Sequence, residues 1–134
     1  KIKASFLSQN FYFGTAEELN AVANGNIEMP AVFLYRPESW ATFDGNGREQ
    51  CSFLIFFCDN TSYSFSTGEN NEIVEKCKKR ALNWAKTIDL YDLKIAEKLR
   101  LKPVYLEFST YVTGVMVEVL LRETYPNEVN CEQF

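Results

Sequence analysis

The sequence predicts an α+β fold: a mixed or antiparallel sheet with one long helix, about 70–88, and one short helix, about 15–24, packed on it. Three patterns carry this expectation. Ile73, Cys77, Ala81, Trp84 and Ile88 recur at helical spacing, joined by Val74, Leu82 and Ala85, while Lys76, Lys79, Arg80 and Lys86 cover the outside. That is the signature of an amphipathic helix. Trp40–Phe43 and Gln50–Cys58 flank Asp44-Gly45-Asn46-Gly47, residues that tolerate the positive φ a tight hairpin requires. Val104, Leu106 and Phe108, then Val115, Val117, Val119 and Leu121, alternate with other residues, which reads as a second antiparallel hairpin turning through Ser109–Gly114.

The remaining elements follow in chain order. Asn10–Gly14 is aromatic and ends at a glycine. Thr15-Ala16-Glu17-Glu18 then has the form of a capping box, with the Thr15 hydroxyl accepting from the Glu18 amide and the Glu18 carboxylate reaching back. The short helix runs through Leu19, Ala21, Val22 and Ala23 to Gly25, a natural C-cap. Ala31–Tyr35 is a continuous apolar run bounded by Pro30 and Pro37, as suits a strand covered on both faces. Asp59–Asn70 is a polar loop holding Tyr63 and Phe65. Asn70 or Asn71 caps the long helix, with Glu72 and Glu75 in its first turns, where the helix dipole favours them. Asp89–Lys102 fits either a helix through Leu93, Ala96 and Leu99 or a loop leading into a strand. The order helix, strand, hairpin, long helix, hairpin predicts helices laid on one face of the sheet. The expected organisation is a single domain over 1–122 and a polar tail over 123–134.

Composition narrows the function. The chain has 134 residues, 46% apolar and 15% aromatic, enough for one well-filled core. Its net charge is −4, and Lys76, Lys78, Lys79 and Arg80 form its longest basic cluster, which disfavours sequence-specific nucleic-acid binding. No apolar run approaches the ~20 residues needed to span a bilayer, so no membrane association is expected. The cysteines Cys51, Cys58, Cys77 and Cys131 include no C-x-x-C pair. They are expected to be free thiols, Cys58 and Cys77 as small buried hydrophobes.

There is no histidine. Every Ser-His or Cys-His pair is therefore excluded, together with the commonest general base and transition-metal ligand. An enzyme would have to run on carboxylates, lysine, tyrosine or cysteine. The carboxylate pairs Glu17 with Glu18 and Glu72 with Glu75 are already explained as helix N-terminal residues. Asp44-Gly45-Asn46-Gly47 lacks the further acidic ligands of an EF-hand loop, and no phosphate-binding or nucleophile-elbow motif occurs. The expectation is a non-enzyme with no cofactor and no metal. Trp40, Phe43, Tyr63 and Phe65 lie at or beside loops and are the candidate interface residues. The alternative is that they fold back over their own sheet.

Met29-Pro30-Ala31-Val32-Phe33-Leu34, Phe53–Asp59, Asn71-Glu72-Ile73-Val74 and above all Thr110–Val117 give the chain its resemblance to known proteins. Over roughly residues 30–122 it resembles tail-terminator and head-to-tail connector proteins of tailed phages and prophages of Bacteroidetes hosts. The resemblance implies a non-enzymatic virion structural protein. It would be made in the bacterial cytoplasm and would form an oligomeric ring with itself and other virion proteins at the phage neck or tail. It transfers no catalytic residue. The alternatives are a cellular ligand- or partner-binding module and, behind it, a carboxylate-dependent hydrolase.

Overall fold

The structure is a computed structural model, and it describes residues 2–6, 9–25, 27–37, 40–43, 45, 47–61, 67–107 and 112–124. Among these residues the strands are β1 (Asn10–Gly14), β2 (Ala31–Tyr35), β3 (Thr42–Phe43), β4 (Glu49–Asn60), β5 (Leu93–Ile95), β6 (Arg100–Glu107) and β7 (Val112–Glu123). The helices are α1 (Ala16–Ala23) and α2 (Thr67–Thr87). All seven strands belong to one sheet, so the α+β expectation holds.

β4 and β7 are the long central pair, antiparallel from Gln50↔Arg122 to Asn60↔Val112. β2 lies antiparallel on β4, and β1 lies parallel to β2. β3 pairs with β4 at Thr42↔Gln50 and Phe43↔Glu49, which is the first hairpin the sequence predicts. β5 and β6 follow each other along the far edge of β7. Pro103 sits inside β6, a position that an edge strand tolerates because proline offers no amide to a second neighbour.

Alternation along the strands divides the apolar side chains between two layers. Cys51, Phe53, Ile55 and Phe57 of β4 join Val115, Val117, Val119 and Leu121 of β7 beneath Val74, Cys77, Ala81 and Trp84 of α2. Ile2 and Phe6 complete this layer, and Trp84 Nε1 donates to Ser5 Oγ at 2.8 Å. On the other face, Phe33, Phe56 and Cys58 lie under Leu19 and Ala23 of α1. β2 sends Val32 and Leu34 to one layer and Ala31 and Phe33 to the other, which accounts for its unbroken apolar run.

The two helices therefore lie on opposite faces, not on one. Parallel neighbours such as β1 and β2 need a crossover connection. Its helix, α1, lies on the face that α2 leaves open.

Two further expectations are corrected, and two segments with no single expectation take a definite form. Asn10–Gly14 is a full strand. α2 begins at Thr67, so Asn70 and Asn71 lie in its first turns instead of capping it, and the Thr61 hydroxyl donates to Asn70 Oδ1. Of the two readings of Asp89–Lys102, the loop leading into a strand holds and the helix does not: a 3₁₀ turn at Ile88–Tyr91 and a left-handed Asp92 (φ 60°, ψ 33°) lead into β5 and the start of β6. Gly114 and Glu123, expected in a turn and in the tail, both lie within β7. The remaining tail, 125–134, lies outside the described residues. The capping box forms as expected: the Glu18 amide donates to Thr15 Oγ1 at 3.2 Å, and the Thr15 amide donates to Glu18 Oε1 at 3.5 Å.

Arg80 ties α2 to the end of the sheet. Its guanidinium donates to the carbonyls of Cys58 and Ala31, each at 3.4 Å, and to Gln9 Oε1 at 3.3 Å. Ala31 and Cys58 are register partners on β2 and β4. One side chain thus joins a helix, two strands and the segment leading into β1.

Candidate functional site

β2 leaves β4 after Leu34↔Ile55, and β3 joins it at Thr42↔Gln50. Between these points, on the face that α1 only partly covers, a groove of about 530 Å³ opens. Thr15 and Ala16 at the start of α1 form one wall, Tyr35, Arg36 and Pro37 another, and Ser52, Leu54 and Glu118 line the sheet side. Leu54 is 44% exposed although it sits in the middle of a central strand.

Opposite charges stand at the groove. Arg36 Nη2 is 3.8 Å from Glu18 Oε1, the same oxygen that accepts from Thr15, and Arg100 Nη1 is 3.5 Å from Glu118 Oε1 across the β6–β7 pair. All four side chains are more than half exposed. Such pairs contribute only about 0–1 kcal/mol, so they can exchange partners at little cost.

Of the four candidate interface residues, Trp40 and Phe43 can be placed. Trp40 is 92% exposed and Phe43, on β3, is 40% exposed. The Trp40 ring therefore does not fold back over the core of its own subunit, whereas Phe43 is more than half covered. Tyr63 and Phe65 lie outside the described residues.

The glutamates weighed for catalysis are not buried together: Glu17, Glu18, Glu72 and Glu75 are all exposed. Sequence reasoning missed a different pair. Glu49 and Glu123, one residue beyond the Gln50↔Arg122 pair on β4 and β7, are 1% and 0% exposed. The charged run Arg48-Glu49 follows the turn of the first hairpin, and Arg122-Glu123 looks like the start of a polar tail, so neither reads as core. Both carboxylates are closed off from water and are not part of the groove. Among the described residues no three Cys, Asp or Glu side chains gather into a metal-binding group, and no helix is long and apolar enough to cross a membrane.

Cys51, Cys58 and Cys77 are buried thiols, and Cys131 lies outside the described residues. Burial raises the Cys77 thiol from 9.0 to about 11, with Arg80 opposing the shift. Burial, followed by the nearby Cys77, pushes the Cys58 thiol up further still. The unfolded chain ionises these thiols near pH 9, whereas the folded chain keeps their protons. The unfolded state therefore binds fewer protons above pH 9, and folding stability falls as pH rises from there. The urea midpoint should decline between about pH 9 and 11, and Cys77→Ala should remove part of that decline. Identical pH profiles for the two proteins would contradict the assignment. The same burial predicts that alkylation mapping finds these three thiols unmodified in the native protein.

No protein-family model matches the sequence, and no curated protein matches it.

Proposed function

We propose that this chain is a non-catalytic structural subunit that assembles with copies of itself and with other virion proteins, as part of an oligomeric ring at a phage neck or tail. The observation that carries the reading is Trp40. A tryptophan at 92% exposure keeps a large apolar surface in water, where it does nothing for the fold of its own subunit. Aromatic residues of this kind are the usual anchors of protein interfaces. Pro37, three residues before it in the chain, lines a groove with charges of both signs, which suits recognition of a protein surface. The resemblance to connector and terminator proteins supplies the virion context.

Ring subunits meet through two different patches. Among the described residues the sheet has two edges, β1 with β3 on one side and β5 with β6 on the other. These lie on opposite flanks of the subunit, as contacts running round a ring require.

Quantitative mass spectrometry of purified particles from cells carrying the gene tests the proposal. The chain should be present at a fixed number of copies per particle. Its absence from particles whose portal and tail proteins are detected would overturn the reading.

The groove favours a second reading, a partner- or ligand-binding module of the cell, because such sites are concave with a few polar groups at the rim. Retrieval of one host protein bound stoichiometrically, with none of the chain in particles, would select it.

A further inference from the structure

We propose that the groove beside α1 is a socket for Trp40 of a second copy of this chain, and that two copies exchange these tryptophans reciprocally to form a two-fold pair. The inference rests on the assembly reading above and names its contact.

Socket and knob are chemically matched. Leu54 and Pro37 give the groove apolar surface, while Arg36 offers a guanidinium on which an indole can lie. Ser52 and Glu118 offer acceptors for the indole N–H. The charges are self-complementary, because one cation, Arg36, and one anion, Glu118, line the same groove, each held within its own copy only by an exposed ion pair, to Glu18 and to Arg100. A two-fold axis sets the Arg36 of one copy towards the Glu118 of the other. A two-fold interface requires this relation, in which residue i meets j and j meets i.

The closeness of knob and socket sets the symmetry. Trp40 follows Pro37 by three residues, so their Cα atoms are at most about 11 Å apart. In a head-to-tail ring one neighbour would fill the socket while another received the knob. Two bodies with a radius of gyration of about 14 Å cannot both reach sites so close together. Reciprocal exchange uses both sites with a single partner. Ring closure then falls to other surfaces, and the two sheet edges are the candidates.

Sedimentation of the full chain over a range of concentrations tests the pair, with Trp40→Ser and Leu54→Arg as separate variants. Leu54 and Trp40 are both exposed, so each variant should keep the wild-type melting temperature. The wild type should dimerise, and no growth beyond dimers should depend on Trp40. Each variant alone should dimerise at least roughly thirty-fold more weakly, the effect of losing an anchor residue. Mixing the two variants should restore a heterodimer, because the Trp40→Ser copy keeps its socket and the Leu54→Arg copy keeps its tryptophan. If Trp40→Ser fails to fold, Leu54→Arg and its mixture with wild type carry the test. Wild type that stays monomeric, Leu54→Arg that dimerises normally, or growth beyond dimers through Trp40 would each overturn the pairing. None of these outcomes bears on whether the chain is present in particles, so the two proposals fail separately.

Discussion

Gly114→Ala should destabilise the protein by about 3 kcal/mol or more, well above the usual cost of adding a methyl group to a strand. Gly114 stands opposite Cys58 in the central β4–β7 pair and opposite Val104 of β6. A Cβ atom at this position would run into the carbonyl oxygen of Phe57 and the Cα of Cys58. Both are backbone atoms of the strand that supplies Phe57 to one layer and Cys58 to the other. No flexible side chain can move aside, so relief requires the two central strands to separate. The urea midpoint measures the loss. A cost below about 1 kcal/mol would mean that β7 shifts without disturbing either layer.

Phe6→Ala should cost about 3–5 kcal/mol, a large share of the 5–15 kcal/mol that holds a typical domain together. Phe6 is fully buried and stacks between Phe11 of β1, with centroids 5.0 Å apart, and Trp84 of α2, 5.2 Å apart. Phe57 of β4 closes the cluster at 6.2 Å. The substitution leaves a ring-sized cavity and removes two stacking contacts at once. A large drop in melting temperature should accompany increased exposure of Trp84 to a quencher. A wild-type melting temperature would show that the N-terminal segment is not part of the core.

These two positions also show what local sequence can and cannot reveal. The period of Ile73, Cys77, Ala81, Trp84 and Ile88 marks α2 and its buried face without reference to the rest of the chain. The Ala31–Tyr35 run marks a strand buried on both sides, and Thr15 with Glu18 marks the start of α1. Phe6 carried no such mark, because a single aromatic in a short turn has no period. Its role depends on Trp84, far along the chain. Gly114 reads as a turn residue in the sequence because glycine serves both in turns and where backbones approach closely, and only the register with Cys58 decides between the two. Periodicity likewise indicates that a helix has an apolar face, but not which side of the sheet a crossover will take, so element order alone does not put α1 on the face opposite α2.

The candidate site was partly legible. Trp40 and Phe43 stand beside a turn signal and could have folded inward or outward. The outcome depends on whether the sheet face below is already filled, which is a property of the whole fold. The groove was not legible, since it arises where β2 and β3 share the edge of β4, a consequence of pairing between distant segments. Glu49 and Glu123 were hidden for the same reason: each is polar in its own stretch and buried only once the central strands are paired.

The claim that this chain acts by assembling through its exposed hairpin is tested most directly by incorporation into particles. The chain carrying Trp40→Ser and Phe43→Ser together should be supplied in place of wild type, and its copies per particle counted by mass spectrometry. Incorporation should fall at least roughly tenfold, as the loss of an anchor contact implies, while the purified variant melts at the wild-type temperature. Full incorporation of a normally folded variant would contradict the account, and a large loss of thermal stability would show that these rings belong to the core of their own subunit.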